Sequence, residues 1–499
     1  MIRLPGLVRK RSRGAAMRMC IRVGLLVEVV GLALGRAETG ASPGITTLVS
    51  VDSAGNQGNN WSWYPAISAD GLYLALHSWA SNLVAGDTNN STDIFVRDRQ
   101  TGMTERVSVD SAGNQGNGVS TYPAISADGR HVAFDSSATN LVAEDSNGTR
   151  DVFLHDRQTG ATERVSVDSA GNQGNGDSSY AAISADGRYV AFRSSASNLV
   201  LGDTNGHVDV FVRDRQTGVT ERVSVDSAGN QGNGDSAGRA ISSDGRYVGF
   251  DSYASNLVAD DTNGTRDVFV RDRQTGATER VSVDGAGNQG NADSAAPAIS
   301  ADGRYAAFDS LASNLVPEDT NAKRDIFVHN RQTGATERVT VDSAGNQGND
   351  HTWYSAISGD GRYVAFHSSA SNLVPGDSNN AIDIFVHDRQ TGTTWRASVD
   401  STGAQANNYS HVPAISADGR YVAFHSVASN LVLGDTNGSL DVFVRDAGPA
   451  AVGGIAELPG LAESADSSVP GYVPFAAIAA AGLVGLSFGA WCTRRRWLA

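Results

Sequence analysis

Between Ile45 and Asp446 the chain writes one 58-residue sentence seven times, and this repetition limits its fold more than any single motif does. The opening Asp recurs at Asp52, Asp110, Asp168, Asp226, Asp284, Asp342 and Asp400. The Phe of an Asp-(Ile/Val)-Phe segment recurs at Phe95, Phe153, Phe211, Phe269, Phe327, Phe385 and Phe443, with no insertion or deletion. A fixed period of this order is the mark of a solenoid or a propeller, in which each unit buries its apolar faces against its neighbours.

Each repeat predicts four short strands, A to D. In the central copy Ala240-Ile-Ser242 and Tyr247-Val-Gly-Phe250 flank an Asp-Gly pair, a strong hairpin signal in which both central turn positions favour positive φ. The pair stands at Asp70, Asp128, Asp186, Asp244, Asp302, Asp360 and Asp418, each followed by Gly. A second hairpin joins Asp267-Val-Phe-Val-Arg271 to Thr278-Glu-Arg-Val-Ser-Val283 through Gln274-Thr-Gly276. Strands B and C carry consecutive apolar residues, which predicts burial on both faces. Strand D alternates, as in Arg222, Val223, Ser224, Val225, which predicts one wet face.

Sandwiched inner strands with a half-exposed outer one describe a propeller blade. A long β-helix is the alternative, but two tight hairpins per unit argue against its uniform coils. The ends of the array point to a closed ring. The last copy stops after strand C at Asp446, and Thr46-Thr-Leu-Val-Ser-Val51 before the first copy matches the missing strand D. The expected fold is therefore all-β: a seven-bladed propeller of four-stranded blades over residues 45–446, closed by an N-terminal strand that covers the open edge.

The formal charge of −15 is concentrated in the repeats, because the flanks are basic. An acidic surface repels phosphate backbones and excludes nucleic acid as a natural partner. Cys20 and Cys492, the only cysteines, lie outside the repeats, so the propeller can hold neither a disulfide nor a thiolate metal site. Residues 1–37 run from basic through an apolar stretch to small residues, the layout of an export signal. Residues 447–471 read as a flexible tether. Residues 472–492 form an uncharged run long enough to span a bilayer, and the basic 493–499 that follow predict a cytoplasmic end. These segments place the propeller outside the cytoplasmic membrane, anchored in a bacterial cell envelope.

Pro123-Ala-Ile-Ser-Ala-Asp-Gly-Arg-His-Val-Ala-Phe134, followed by Asp151-Val-Phe-Leu-His-Asp156, resembles the WD40-like (PD40) repeats of the TolB type. The resemblance covers about 400 residues and implies that the Pro-x-x-Ser-x-Asp-Gly segment forms the two inner strands of a blade. TolB itself has six blades and an extra N-terminal domain, so its role does not transfer. The order Val469-Pro470, apolar run, Arg cluster looks like the C-terminal sorting tags of exosortase-processed proteins, with Gly471 where the commonest tag has Glu.

With A innermost, the short A–B and C–D hairpins share one face of the disc, and the longer D–A and B–C connections share the other. Variation among the copies gathers on that loop-rich face. Trp61, Trp63, Tyr64, Trp79, Trp353, Tyr354 and Tyr409, on blades six, seven and one, are candidates to bind a protein, peptide or glycan, since aromatic platforms suit partly apolar ligands. Drift in surface loops is the competing explanation. At the end of strand B the column reads His77, Asp135, Arg193, Asp251, Asp309, His367, His425. Its histidines join the ligand candidates, against the alternative of a solvated ring around a channel.

The B–C loops repeat Asp-(Thr/Ser)-Asn-x-x-x-Asp: Asp87, Asn89, Asp93; Asp145, Asn147, Asp151; Asp203, Asn205, Asp209; Asp261, Asn263, Asp267; Asp319, Asn321, Asp325; Asp377, Asn379, Asp383; and Asp435, Asn437, Asp441. Oxygen ligands so spaced suit calcium, but the further acids and bidentate Glu of an EF-hand are missing, and an Asx-turn whose last Asp caps strand C is the preferred reading. No phosphate-binding Gly loop, nucleophile elbow or zinc-protease motif occurs. The expected function is a non-enzymatic binding or scaffold module. A propeller hydrolase or lyase acting on glycans or peptides from the loop-rich face is the alternative.

Overall fold

The computed structural model describes residues 44–448, and the expected export signal, membrane span and basic end lie outside that range. Among the described residues no helix is long and apolar enough to cross a membrane. The described residues form seven four-stranded antiparallel sheets, one per repeat. In blade one, strands A to D are Ser62–Ile67, Tyr73–Ser78, Asp93–Asp98 and Thr104–Arg106. The seventh sheet is completed across the ends of the array: Ile45–Leu48 pairs with Asp441–Asp446, with Ile45 opposite Asp446 and Leu48 opposite Phe443. Two side-chain bonds fasten it, Thr46 Oγ1 to the carbonyl of Val399 at 2.5 Å and Ser50 Oγ to Asp441 Oδ1 at 2.6 Å.

The core lies between blades, not within them. Ala75, Ile94, Val96 and Val107 of blade one meet Val132, Phe134, Ala138, Leu141 and Phe153 of blade two in a single cluster, and each seam repeats the arrangement. This accounts for the consecutive apolar residues of B and C, whose two faces each meet a neighbouring blade. Strands A line a central channel of about 440 Å³.

Two local expectations are corrected. The A–B turn is not a tight pair with both central residues at positive φ: Gly71 has φ +73°, and Asp70 is not among the positive-φ residues. Asp70 Oδ1 instead accepts the amide of Leu72 and the hydroxyl of Ser68, tying a longer loop. The glycine serves the seam, since a Cβ there would fall 2.1 Å from the ring of Tyr421 in blade seven. Arg99 covers that ring at 4.5 Å and donates to the carbonyl of Gly71 at 2.6 Å. Strand D is also shorter than expected, ending at Arg222, and the residues expected as its second half have no wet face. Val223, Ser224 and Val225 are all buried, and the Ser224 hydroxyl donates to Asp209 Oδ1 at 2.5 Å and accepts the amide of Val210 at 3.1 Å. The polar residue was spaced like a solvent-facing one but is hydrogen-bonded inside.

Candidate functional site

The third residue of strand A forms a bulge in which non-glycine residues take the left-handed conformation: Tyr64 (φ 49°), Tyr122 (51°), Tyr180 (55°), Ala296 (50°), Tyr354 (46°) and Val412 (48°). Such backbone costs about 1–3 kcal/mol per residue and persists only where its surroundings hold it. Here the holder is the strand-B column of the preceding blade. The amides of Tyr122, Val412 and Tyr64 donate to Nδ1 of His77, His367 and His425 at 3.0, 3.2 and 3.4 Å. Those of Tyr180 and Ala296 donate to Asp135 and Asp251 at 3.4 Å, and that of Tyr354 donates to Asp309. Arg193 alone in the column has no lone pair to offer. In the blade that follows it, Gly238 stays in register with Phe250, and the bulge comes one residue later.

Charge in this column is matched within the blade at every position except Arg193. Each Asp has an arginine fifteen residues on: Arg150 to Asp135 at 2.7 Å, Arg266 to Asp251 at 3.2 Å, and Arg324 to Asp309. Each His has a neutral residue there, Thr92, Ile382 or Leu440. Burial pushes His77 and His367 down to about 3 and His425 well below its usual range, so all three rings are neutral acceptors. Burial also raises Asp135 to about 6, against the pull of Arg150.

The candidate aromatic residues come together in one run of ring contacts. It passes from His351 to Trp353 (5.5 Å), His367 (5.8 Å), His411 (5.1 Å), His425 (5.8 Å), Tyr64 (5.7 Å), Tyr122 (4.8 Å) and Tyr180 (4.3 Å). Tyr354 lies 5.5 Å from His367, Tyr409 lies 6.1 Å from His411, and Trp63 lies 4.5 Å from His77 and 6.2 Å from Trp61. Trp61 and Tyr409 are half exposed. Trp79 is exposed as well, but its ring joins no such contact among the described residues. The sequence reading did not single out Tyr122, Tyr180, His351 or His411 as site residues. Their periodic positions were visible, but not that they would continue the run.

In the B–C loops every Asn turns its amide nitrogen toward the final Asp, at 2.8 to 3.1 Å. Asn89 Oδ1 accepts the amide of Ser91, an Asx-turn. Gln115 Nε2 donates to both Asp87 and Asp93, and Arg164 Nη1 reaches both Asp145 (3.1 Å) and Asp151 (3.2 Å). The carboxylate pairs thus face hydrogen-bond donors from strand D and from the loop that follows it. Blade seven differs, since Leu48 stands where the other blades have this Arg. Its pair, Asp435 and Asp441, is bridged by Gln57 at 2.7 and 2.9 Å, and burial raises Asp441 to about 6. Among the described residues no group of three or more His, Cys, Asp or Glu is placed to hold a metal ion.

No family model matches the sequence, and no curated protein is similar to it. Solved structures similar in chain course include an oligogalacturonate lyase in complex with manganese (TM-score 0.48, 14% identity, over 83% of this chain and 95% of that one). A putative TolB from Agrobacterium tumefaciens has TM-score 0.38 and 15% identity, over 69% of this chain and 93% of that one. The β-propeller domain of the Trilobed protease from Pyrococcus furiosus has TM-score 0.44 and 10% identity, over 74% of this chain and 91% of that one. That domain has an open velcro topology, whereas the ring here is closed by Ile45–Leu48. These likenesses concern fold alone. In this chain the segment from Pro123 to Phe134 runs through inner strands A and B, and the described residues form a closed seven-bladed propeller of four-stranded blades.

Proposed function

We propose that this chain is an extracytoplasmic, membrane-anchored binding propeller that takes a glycan, peptide or protein ligand on its loop-rich face. The observation that carries the proposal is the run of rings from His351 to Tyr180, concentrated on one side of a scaffold whose blades are otherwise near copies. Aromatic groups held by strained backbone and half exposed at Trp61 and Tyr409 offer contact area at little entropic cost. The buried histidines favour binding over catalysis, because His77, His367 and His425 are spent accepting backbone amides, whereas a general acid or base must reach a substrate proton. Export and anchoring rest on the sequence of the flanks.

The test is a glycan and peptide array probed with the full chain, run beside a screen for hydrolytic and eliminative cleavage of the same compounds. Binding that Trp61→Ala with Trp353→Ala abolishes is the expected result. Binding indifferent to both changes would overturn the assignment of the face, and turnover would replace the binding module by an enzyme. A reporter fused after Asp446 is expected to be active only outside the cytoplasm.

A further inference from the structure

The loop-rich face is half filled and half hollow. The second residue of strand A reads Trp63, Thr121, Ser179, Ala237, Ala295, Trp353, His411 around the ring. Where it is bulky the rim is packed with rings. Where it shrinks to Ala237 and Ala295, a hollow of about 300 Å³ opens beside the channel mouth, with Trp353 as one wall and Arg193, Arg266 and Arg324 among its lining.

The three arginines are not equivalent. Arg266 is bonded to Asp251 and Arg324 to Asp309, so their charges are met inside the protein. Arg193 stands where the pattern offers no counter-charge: the residue fifteen on is Val208, and no carboxylate pairs with it among the described residues. Its guanidinium lies 4.3 Å from the centroid of Tyr180, and its Nε donates to Ser179 Oγ at 3.1 Å. Nη1 and Nη2 have no protein partner among the described residues. Stacking and the Nε bond fix the plane of the group and leave free the edge that engages a carboxylate in bidentate fashion.

We propose that this hollow binds the carboxylate of a compact polar ligand, of the size of one sugar acid or one acidic amino acid, with Arg193 as its ion-pair partner and Trp353 as its apolar wall. The inference rests on the reading of the loop-rich face as the binding face and adds the chemistry it selects. A volume of about 300 Å³ is at the small end of ligand pockets, which limits the bound unit to one ring or one side chain. Asp251 and Asp309 line the same hollow and already occupy Arg266 and Arg324, so a second negative group meets no further unpaired arginine among the lining residues. Monocarboxylates are thereby favoured over polyanions, in keeping with a chain of net charge −15.

The experiment is calorimetric titration of the full chain with D-glucuronate and with N-acetyl-L-glutamic acid α-amide, each bearing a single carboxylate, against its neutral counterpart, D-glucose and N-acetyl-L-glutamine amide. Saturable binding of at least one acid, with its neutral counterpart bound at least about tenfold more weakly, is expected. Arg193→Met keeps the stem over Tyr180 and removes the charge. It should weaken that binding at least about tenfold while the melting temperature stays near that of the parent. Arg193→Lys should recover part of the affinity, and added salt should weaken binding to the parent but not the residue of binding left in Arg193→Met. Which acid binds identifies the source as saccharide or amino acid. Failure of both acids to bind, or equal binding of acid and neutral forms, overturns the inference. If the array detects neutral ligands whose binding depends on Trp353 but not on Arg193, the binding face stands and the carboxylate assignment falls.

Discussion

The backbone amide of Tyr122, in blade two, donates to Nδ1 of His77, in blade one, across 3.0 Å and 45 residues of chain. The bond holds a left-handed tyrosine and joins two blades. It recurs with His or Asp as acceptor at every seam except the one that follows Arg193. Replacing His77 by Ala leaves a buried amide unpaired and is expected to cost about 1–3 kcal/mol, read as a fall in the midpoint of denaturant unfolding.

The pairing of Asp with Arg and of His with a neutral residue gives a sharper test. His77→Asp alone introduces a buried carboxylate without a cation. Combined with Thr92→Arg, it recreates the pair that Asp135 and Arg150 form in blade two. The double variant is expected to recover most of the loss, with a coupling of about 1–3 kcal/mol in a double-mutant cycle. Additive losses would show that the fifteen-residue relation has no energetic content.

The buried histidines should lose their contribution to stability as the solution is acidified below about pH 6.5. Buried neutral histidines are charged in the unfolded chain below that pH, but resist protonation in the fold down to about 3 for His77 and His367. Their contribution is therefore complete above the unfolded value and is lost as pH falls, at about 1.4 kcal/mol per unit for each ring. Asp135, Asp325 and Asp441, raised to about 6, act in the opposite sense, since their contribution is complete at low pH and is lost as pH rises through 6. At pH 5 each carboxylate returns at most about 1.4 kcal/mol, while each of the two histidines has lost about 2. His425, His329, His387, His131, His155 and His411 are lowered as well, and Asp93, Asp261 and Asp309 are among further carboxylates raised by burial, so the share of the histidines is read from a single-residue variant. On going from pH 8 to pH 5, the melting temperature of His367→Gln should rise relative to that of the parent.

Blade seven should be the weak point of the ring. Leu48→Arg brings a guanidinium to Asp435 and Asp441 as in the other blades, and is expected to add about 1 kcal/mol. Deleting residues 45–51 strips the outer strand from blade seven and should lower the melting temperature far more than any single change discussed here.

Calcium is expected to leave thermal unfolding unchanged relative to chelator, because Arg, Gln and Asn donors already engage the B–C carboxylates. A calcium-specific rise that disappears in Asp261→Asn with Asp267→Asn would reassign those loops as ion sites.

How far the sequence reached follows from the range of each interaction. Repetition at a constant 58 residues, two hairpins per unit and a stray strand-D segment at Thr46–Val51 were enough for the blade, the number of blades and the closing strand. Those features depend on pairing between near neighbours or between copies of one pattern. The site was only partly legible. The loop-rich face and its aromatic residues could be read from where the copies differ, but the partner of His77 is an amide 45 residues away, and no spacing rule for strands identifies it. The same limit applies to Ser224, which alternates like a solvent-facing residue yet bonds Asp209 inside the blade. It applies also to Arg193, an ordinary variant in its column until the ring sets it beside Ala237 and Ala295 with no carboxylate to meet it. Periodicity determined which residues lie on a blade. Only the closing of seven blades around a channel decided which of them face one another across a seam, because that contact depends on the angle between sheets and not on the order of residues within one.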